Sequence, residues 1–273
     1  MRRLALVALI VTVGTAAARS EDMWDPPWDP SLDHQTLQEW DFPNLLTAMA
    51  YQDGDVLDMP MFPLPGDTEN PFGEPYVEWP PVHEIPVENP EDPGEIIILT
   101  AKTEVEMVEY VDPDGNPQPG TPTVHVSVTT PDGTGVEGTP LAGVTVPVSI
   151  FIPNHPEPNL SKMIFWQMTS DKSPTPTGSP PTAQGVGPDG YTSTDHPSPH
   201  PDIQHSGPGN WYSYNGLVEI QPNPEGEWLT FELVDSTNIE EIVVKTVCMP
   251  EPATLGLLAM GGVGILLSRR RRV

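Results

Sequence analysis

A single cysteine, Cys248, stands among 273 residues, so no intramolecular disulfide can form and stability has to come from a packed core. A catalytic thiolate would need an electropositive setting. Glu251 and the absence of a nearby His exclude that role, and the residue reads as incidental or membrane-proximal. Basic residues are scarce as well, 11 against 39 acidic ones, and seven of the 11 (Arg2, Arg3, Arg19 and Arg269 to Arg272) lie at the two ends. Residues 21–252 are left with four lysines and a formal charge of −35. Nucleic acid is thereby excluded as a partner, since phosphate binding needs clustered Lys and Arg. Helical periodicity is missing from every window of 11 or more residues between the termini. Neither a Gly-x-Ser-x-Gly elbow nor a His-Glu-x-x-His helix occurs, so no hydrolytic motif supports an enzyme.

What is present begins with two address-like ends. Met1-Arg2-Arg3, the apolar stretch Leu4 to Thr15 and the small residues Ala16 to Ser20 form a signal peptide over residues 1–20, to be removed by signal peptidase. At the other end, Pro250-Glu251-Pro252 precedes the uncharged run Ala253 to Leu267, then Ser268 and four arginines. Fifteen residues with four glycines fall short of the ~20 that cross a bilayer core untilted, and snorkelling arginines make up the difference. The arginines keep the extreme C-terminus cytoplasmic. The expectation is an exported chain held at the membrane by a transmembrane segment at 253–267, within a tail of residues 248–273.

This three-part tail resembles the PEP-CTERM sorting signal of exported bacterial proteins, carried here by Pro250, Glu251 and Pro252, the Gly-containing apolar run and Arg269, Arg270, Arg271 and Arg272. The resemblance implies recognition by exosortase, a membrane protease and transpeptidase, in bacteria that often secrete polysaccharide. After processing, such a protein would reside at the cell surface or in the extracellular matrix. The same kind of tail is also known as an ice-binding protein C-terminal region, a label that describes a tail and not a ligand site. A looser likeness to planctomycete PEP-CTERM proteins runs through Gln38 to Phe42, Asn70 to Pro75, Ile152-Pro153-Asn154, Trp166-Gln167 and Ile220 to Pro224. It implies a sandwich and supplies no catalytic residue.

Between the ends the chain divides into an acidic, Pro-rich segment at 21–93 and a β domain at 94–247. The first holds 14 prolines, which preclude long regular strands through Met59 to Pro93, and two tags, Trp24-Asp25-Pro26 and Trp28-Asp29-Pro30. Its ordered part is a short strand near 36–42, packing Trp40 and Phe42 onto the main domain. In the second, Val144, Val146, Val148, Ile150 and Ile152 recur at a period of two, the clearest strand in the sequence. Further strands are expected at Ile96 to Val111, Val124 to Val128, Lys162 to Thr169, Tyr212 to Gln221, Trp228 to Val234 and Ile239 to Val247. Gly- and Pro-rich turns separate them, so the predicted fold is mainly β, an antiparallel β-sandwich or jelly roll with long Pro-rich loops. The longest loop, 170–210, holds little that forms a core.

Candidate chemistry is thin. His196, His200 and His205, with Asp195 and Asp202, have metal-ligand chemistry, but the interleaved prolines forbid a helix that would align them, and a solvated loop is the stronger reading. Asp112 to Asn116 lacks the spacing of an EF-hand and reads as a turn. No cofactor is expected, with calcium gathered from several acidic loops the one cation chemistry left open. Among the rings Trp166, Trp211, Tyr212, Tyr214 and Trp228, core packing is the first reading. Trp211, Tyr212, Tyr214 and Trp166 are the candidates for stacking on sugar. Tyr212 and Tyr214 share one side of a strand, and the Asn215-Gly216 step reads as a bulge or turn. The expected function is a non-enzymatic structural or interaction protein of the envelope or matrix. The alternatives are a carbohydrate-binding module acting on extracellular polysaccharide and a secreted hydrolase.

Overall fold

The computed structural model describes residues 24–29, 32, 35–64, 67–79, 82–108, 120–139, 141–154, 160–174, 181–187, 191–205 and 211–250. The signal peptide at 1–20, the turn at Asp112 to Asn116 and the apolar and Arg-rich parts of the tail lie outside these residues. Among the described residues, no helix is long and apolar enough to cross a membrane.

The chain runs through β1 (Gln35–Asp41), a short helix α1 (Phe42–Ala48), β2 (Tyr76–Glu78), β3 (His83–Glu88), β4 (Ile96–Val108), β5 (Thr121–Thr129) and β6 (Thr145–Pro153). It continues with β7 (Leu160–Ser170), β8 (Thr182–Val186), β9 (Thr192–His196), β10 (Ile203–Gln204), β11 (Tyr212–Gln221), β12 (Gly226–Val234) and β13 (Thr237–Pro250). Every pairing is antiparallel. Nine strands form the larger sheet, ordered β10-β11-β7-β13-β5-β4-β3, with β1 added on β13 and β9 on β11; β2-β6-β12-β8 form the smaller. The two layers make the antiparallel sandwich that the period-two strands predict.

The core lies between the sheets and follows from the alternation. Val146, Val148, Ile150 and Ile152 of β6 and Leu229, Phe231 and Leu233 of β12 point inward, where they meet Ile164, Trp166 and Met168 of β7 and Ile242 and Val244 of β13. β7 does not alternate. From Ser161 to Ser170 every residue is buried, because the outer face of this central strand is covered too. Trp28 packs edge-on against Phe165, and Gln167 Nε2 donates to the carbonyl of Trp24 at 3.1 Å. The two Trp-Asp-Pro tags thus serve as part of that cover.

β13 is the mechanical axis of the larger sheet. One edge pairs with β7 along nearly its whole length, down to Pro250 opposite Leu160. Its other edge is shared: Thr237 to Ile239 pair with β5, and Glu241 to Val247 pair with β1. A register shift between Ile239 and Glu241 falls at this hand-over and lets Ile239 and Ile242 both enter the core. α1 follows β1 at once, capped by the Asp41 carboxylate accepting from Asn44 N at 3.1 Å, and buries Phe42, Leu45 and Leu46. Of the prolines before residue 93, Pro86 is accommodated at an edge, in β3, the last strand of the path.

One expectation is corrected. Among its described residues the segment 170–210 contains three strands, because β8 extends the smaller sheet beside β12 while β9 and β10 line the free edge of β11. Single polar strands of two to five residues carry no apolar period, and each is held by a neighbour distant in sequence.

Candidate functional site

The strand carrying the sugar-stacking candidates, β11, pairs with β7 without interruption through Asn215 and Gly216. The expected bulge is therefore absent, and Gly216 has a different purpose. A Cβ there would stand 2.5 Å from the Trp166 indole, so the glycine makes room for that ring. Trp166 itself is a core residue, packed edge-on to Phe231, and offers no face to a ligand. Trp211 is buried as well, with 6% of its surface exposed. Tyr212 and Tyr214 do share one side, their rings 5.9 Å apart and tilted by 34°, both half-buried. Burial first, then Asp202, Tyr212 and Asp171, push the Tyr214 phenol up to about 12.

The three histidines go to three different partners along the outer face of β11. His196 Nε2 lies 3.3 Å from Glu219 Oε2, and His205 Nε2 lies 2.8 Å from the Ser213 hydroxyl. His200 stacks on Trp24, with ring centroids 5.6 Å apart, and reaches the carbonyl of Asp25. Burial lowers the His205 pKa and raises that of Asp202. The three histidines are half-buried against the larger sheet, while Asp195, Pro197, Ser198, Pro201 and Asp202 between them are exposed, so the stretch is solvated on one side and anchored by its imidazoles on the other. Among the described residues, no three His, Cys, Asp or Glu side chains are grouped to hold a metal.

Two arrangements were missed in the sequence. The first is a row of rings on the outer face of the smaller sheet. Tyr76, Phe151, Trp228 and Gln184 stand opposite one another across β2, β6, β12 and β8. Tyr76 lies 5.3 Å from Phe151 and 5.7 Å from Trp228, Phe151 lies 5.1 Å from Trp228, and Phe62 extends the row 5.8 Å beyond Tyr76. The rings are mutually tilted, not coplanar. Phe62 is 47% exposed and the other three rings are partly exposed. Beside them runs a polar row of Glu78, Ser149, Thr230 and Thr182, in which the Ser149 and Thr230 hydroxyls bond at 2.9 Å. The outward phase of Trp228 is legible in its strand; the matching of Tyr76 and Phe151 depends on pairing between strands far apart in sequence.

The second is a sealed polar cluster at the end of the sandwich where β13 leaves it. Lys162, at the start of β7, and Glu227, at the start of β12, are both completely buried and 3.5 Å apart across the inter-sheet layer. Lys162 Nζ donates to Asn154 Oδ1 at 2.8 Å, while Asn154 Nδ2 donates to Asn223 Oδ1 and to the Pro224 carbonyl. Cys248 Sγ, next to Lys162 in the sheet, lies 3.6 Å from the same Asn154 oxygen. Burial raises the Glu227 carboxyl to about 7, an effect that Lys162 only partly offsets.

That shift has a defined pH signature. With the Lys162 amine free, the folded chain retains the Glu227 proton up to about pH 7, whereas the unfolded chain releases it near 4.5. Stability from this group is complete below about 4.5 and lost as pH rises through 7, by on the order of 3 kcal/mol. Denaturation midpoints across about pH 5 to about pH 8 should therefore fall, and Glu227→Gln should fall less steeply. Parallel slopes for the two chains would contradict the assignment.

No curated protein and no solved structure matches the chain. A family model described as the PEP-CTERM protein-sorting motif does match, at residues 250–272. It begins at Pro250, the last residue of β13, so the motif is joined directly to the central strand of the larger sheet. The β-sandwich thus carries a PEP-CTERM sorting signal at its C-terminus, and the chain is an exported protein sorted to the cell envelope by an exosortase.

Proposed function

We propose that this is a non-enzymatic interaction protein of the cell envelope or extracellular matrix, and that neutral polysaccharide is what it engages. The row Phe62, Tyr76, Phe151 and Trp228 supports this reading. Ring faces pack against the C–H faces of sugars, and the neighbouring Ser149, Thr230 and Gln184 present hydroxyl and amide groups to the sugar hydroxyls. The tilts suit a chain of sugar rings that turns along its length better than a flat crystalline surface. A formal charge of −35 on residues 21–252 repels polyanionic glycans, which leaves neutral ones favoured. Anchoring through the tail, followed by release to the surface or matrix on processing, would present this face outside the cell.

The test is retention of the exported chain on insoluble neutral polysaccharides, together with a glycan array. Trp228→Ala and Phe151→Ala should each weaken retention roughly tenfold, the equivalent of about 1.4 kcal/mol, with circular dichroism unchanged. Tyr212→Ala should leave retention intact, since it lies in the larger sheet. Equal retention by all three variants would rule out the row as the binding face.

A further inference from the structure

We propose that Lys162 and Asn154 become joined by an intramolecular isopeptide bond, with Glu227 transferring the proton. The three side chains meet at one nitrogen. Lys162 Nζ lies 2.8 Å from Asn154 Oδ1 and 3.5 Å from Glu227 Oε1. Lys162 and Glu227 are 0% exposed and Asn154 5%, so water is excluded and hydrolysis does not compete.

A plain ion pair accounts poorly for this arrangement. A buried pair offsets its desolvation only when further hydrogen bonds satisfy the remaining lone pairs, yet neither Glu227 oxygen has a hydrogen-bond partner among the described residues. An acid left otherwise unbonded beside the amine is placed to move its protons. Its carboxyl, raised to about 7, both accepts and donates near neutrality. Asn154 is fixed for attack, because Asn223 and the Pro224 carbonyl hold its Nδ2. Contact distance and fixed orientation replace a bimolecular encounter.

The step balances without a cofactor. Lys162 Nζ, as the neutral amine, adds to Asn154 Cγ while Glu227 relays an amine proton to Nδ2. The Cγ–Nδ2 bond then breaks and ammonia departs. One amine and one carboxamide become one secondary amide and one ammonia, and Glu227 ends in the protonation state in which it began.

The bond would tie β7 of the larger sheet to the end of β6 in the smaller one. It lies beside Cys248, two residues before the sorting motif begins. This is the end of the sandwich through which tension from a tethered tail enters. With one cysteine in the chain, a disulfide cannot supply such a staple.

The experiment is mass spectrometry of the purified, folded, exported chain. The expected mass is lower than that of the processed sequence by one ammonia, and digestion after denaturation should give a branched peptide joining Asn154 to Lys162. Glu227→Gln keeps the size and neutrality of the group, and should fold normally while forming the bond at least about 100-fold more slowly. Glu227→Asp should restore part of the rate. Lys162→Arg should retain the full mass, but it forces a larger group into a sealed space, so Glu227→Gln bears the test. A folded native chain of unmodified mass after prolonged incubation would overturn the proposal. So would a branch at other residues, or a Glu227→Gln chain that cross-links at the native rate.

Discussion

Replacing Pro250, Glu251 and Pro252 with three alanines is expected to leave the exported chain with its tail uncut and to hold it in the membrane fraction. The matched motif starts where the last strand ends, so Pro250-Glu251-Pro252 would be the segment that presents the tail to the sorting enzyme. Two prolines cannot donate to a β ladder, and they separate a buried strand from the apolar run that follows. The run of 15 residues would extend ~22 Å as a helix, against ~30 Å of hydrocarbon, so in a bilayer its ends would fix its depth. Removing the charges of Arg269 to Arg272 should therefore disturb sorting from the other side. The readouts are intact mass and fractionation in the native host. Unchanged processing and location in the triple-alanine chain would reduce the tail to a simple anchor.

What the sequence discloses is uneven for physical reasons. β6 and β12 are half-buried, so their period-two pattern states both the strand and its inward face. β7 and β13 are wrapped on both sides, and their runs of apolar residues announce burial without saying what covers them. The covers, Trp24, Trp28 and the His-rich stretch, have the composition of loops, and composition alone assigns them to solvent. The sorting motif at residues 250–272 was legible, because a signal read by an enzyme is a linear pattern. The aromatic row was not, since it exists only once β2, β6 and β12 are in register. The Lys162 cluster is subtler still. Asn154 sits in a Pro-Asn step that looks like a turn, Glu227 in a sequence that looks like the start of an amphipathic strand, and nothing local says that they share one nitrogen.

Trp40→Ala is expected to cost about 3–5 kcal/mol, the range for deleting a fully buried large aromatic side chain. Trp40 is 0% exposed in the central cluster, and its indole N–H donates to the Met61 carbonyl at 3.1 Å. It stands in β1 opposite Ile242 of β13, immediately before the helix that buries Phe42, Leu45 and Leu46. Its loss would therefore loosen the strand that occupies the Glu241 to Val247 edge of β13 as well as empty part of the core. Domains commonly hold only ~5–15 kcal/mol in total, so the variant should sit close to its unfolding midpoint. Trp40→Phe separates the two contributions. It keeps most of the apolar volume and removes the indole bond to a carbonyl that still accepts from Val77 N at 2.9 Å, for an expected cost of about 0.5–1.5 kcal/mol. Urea titration monitored by near- and far-ultraviolet circular dichroism measures both. If Trp40→Ala unfolds at the native midpoint, β1 contributes little to the core and its pairing with β13 is not a structural necessity.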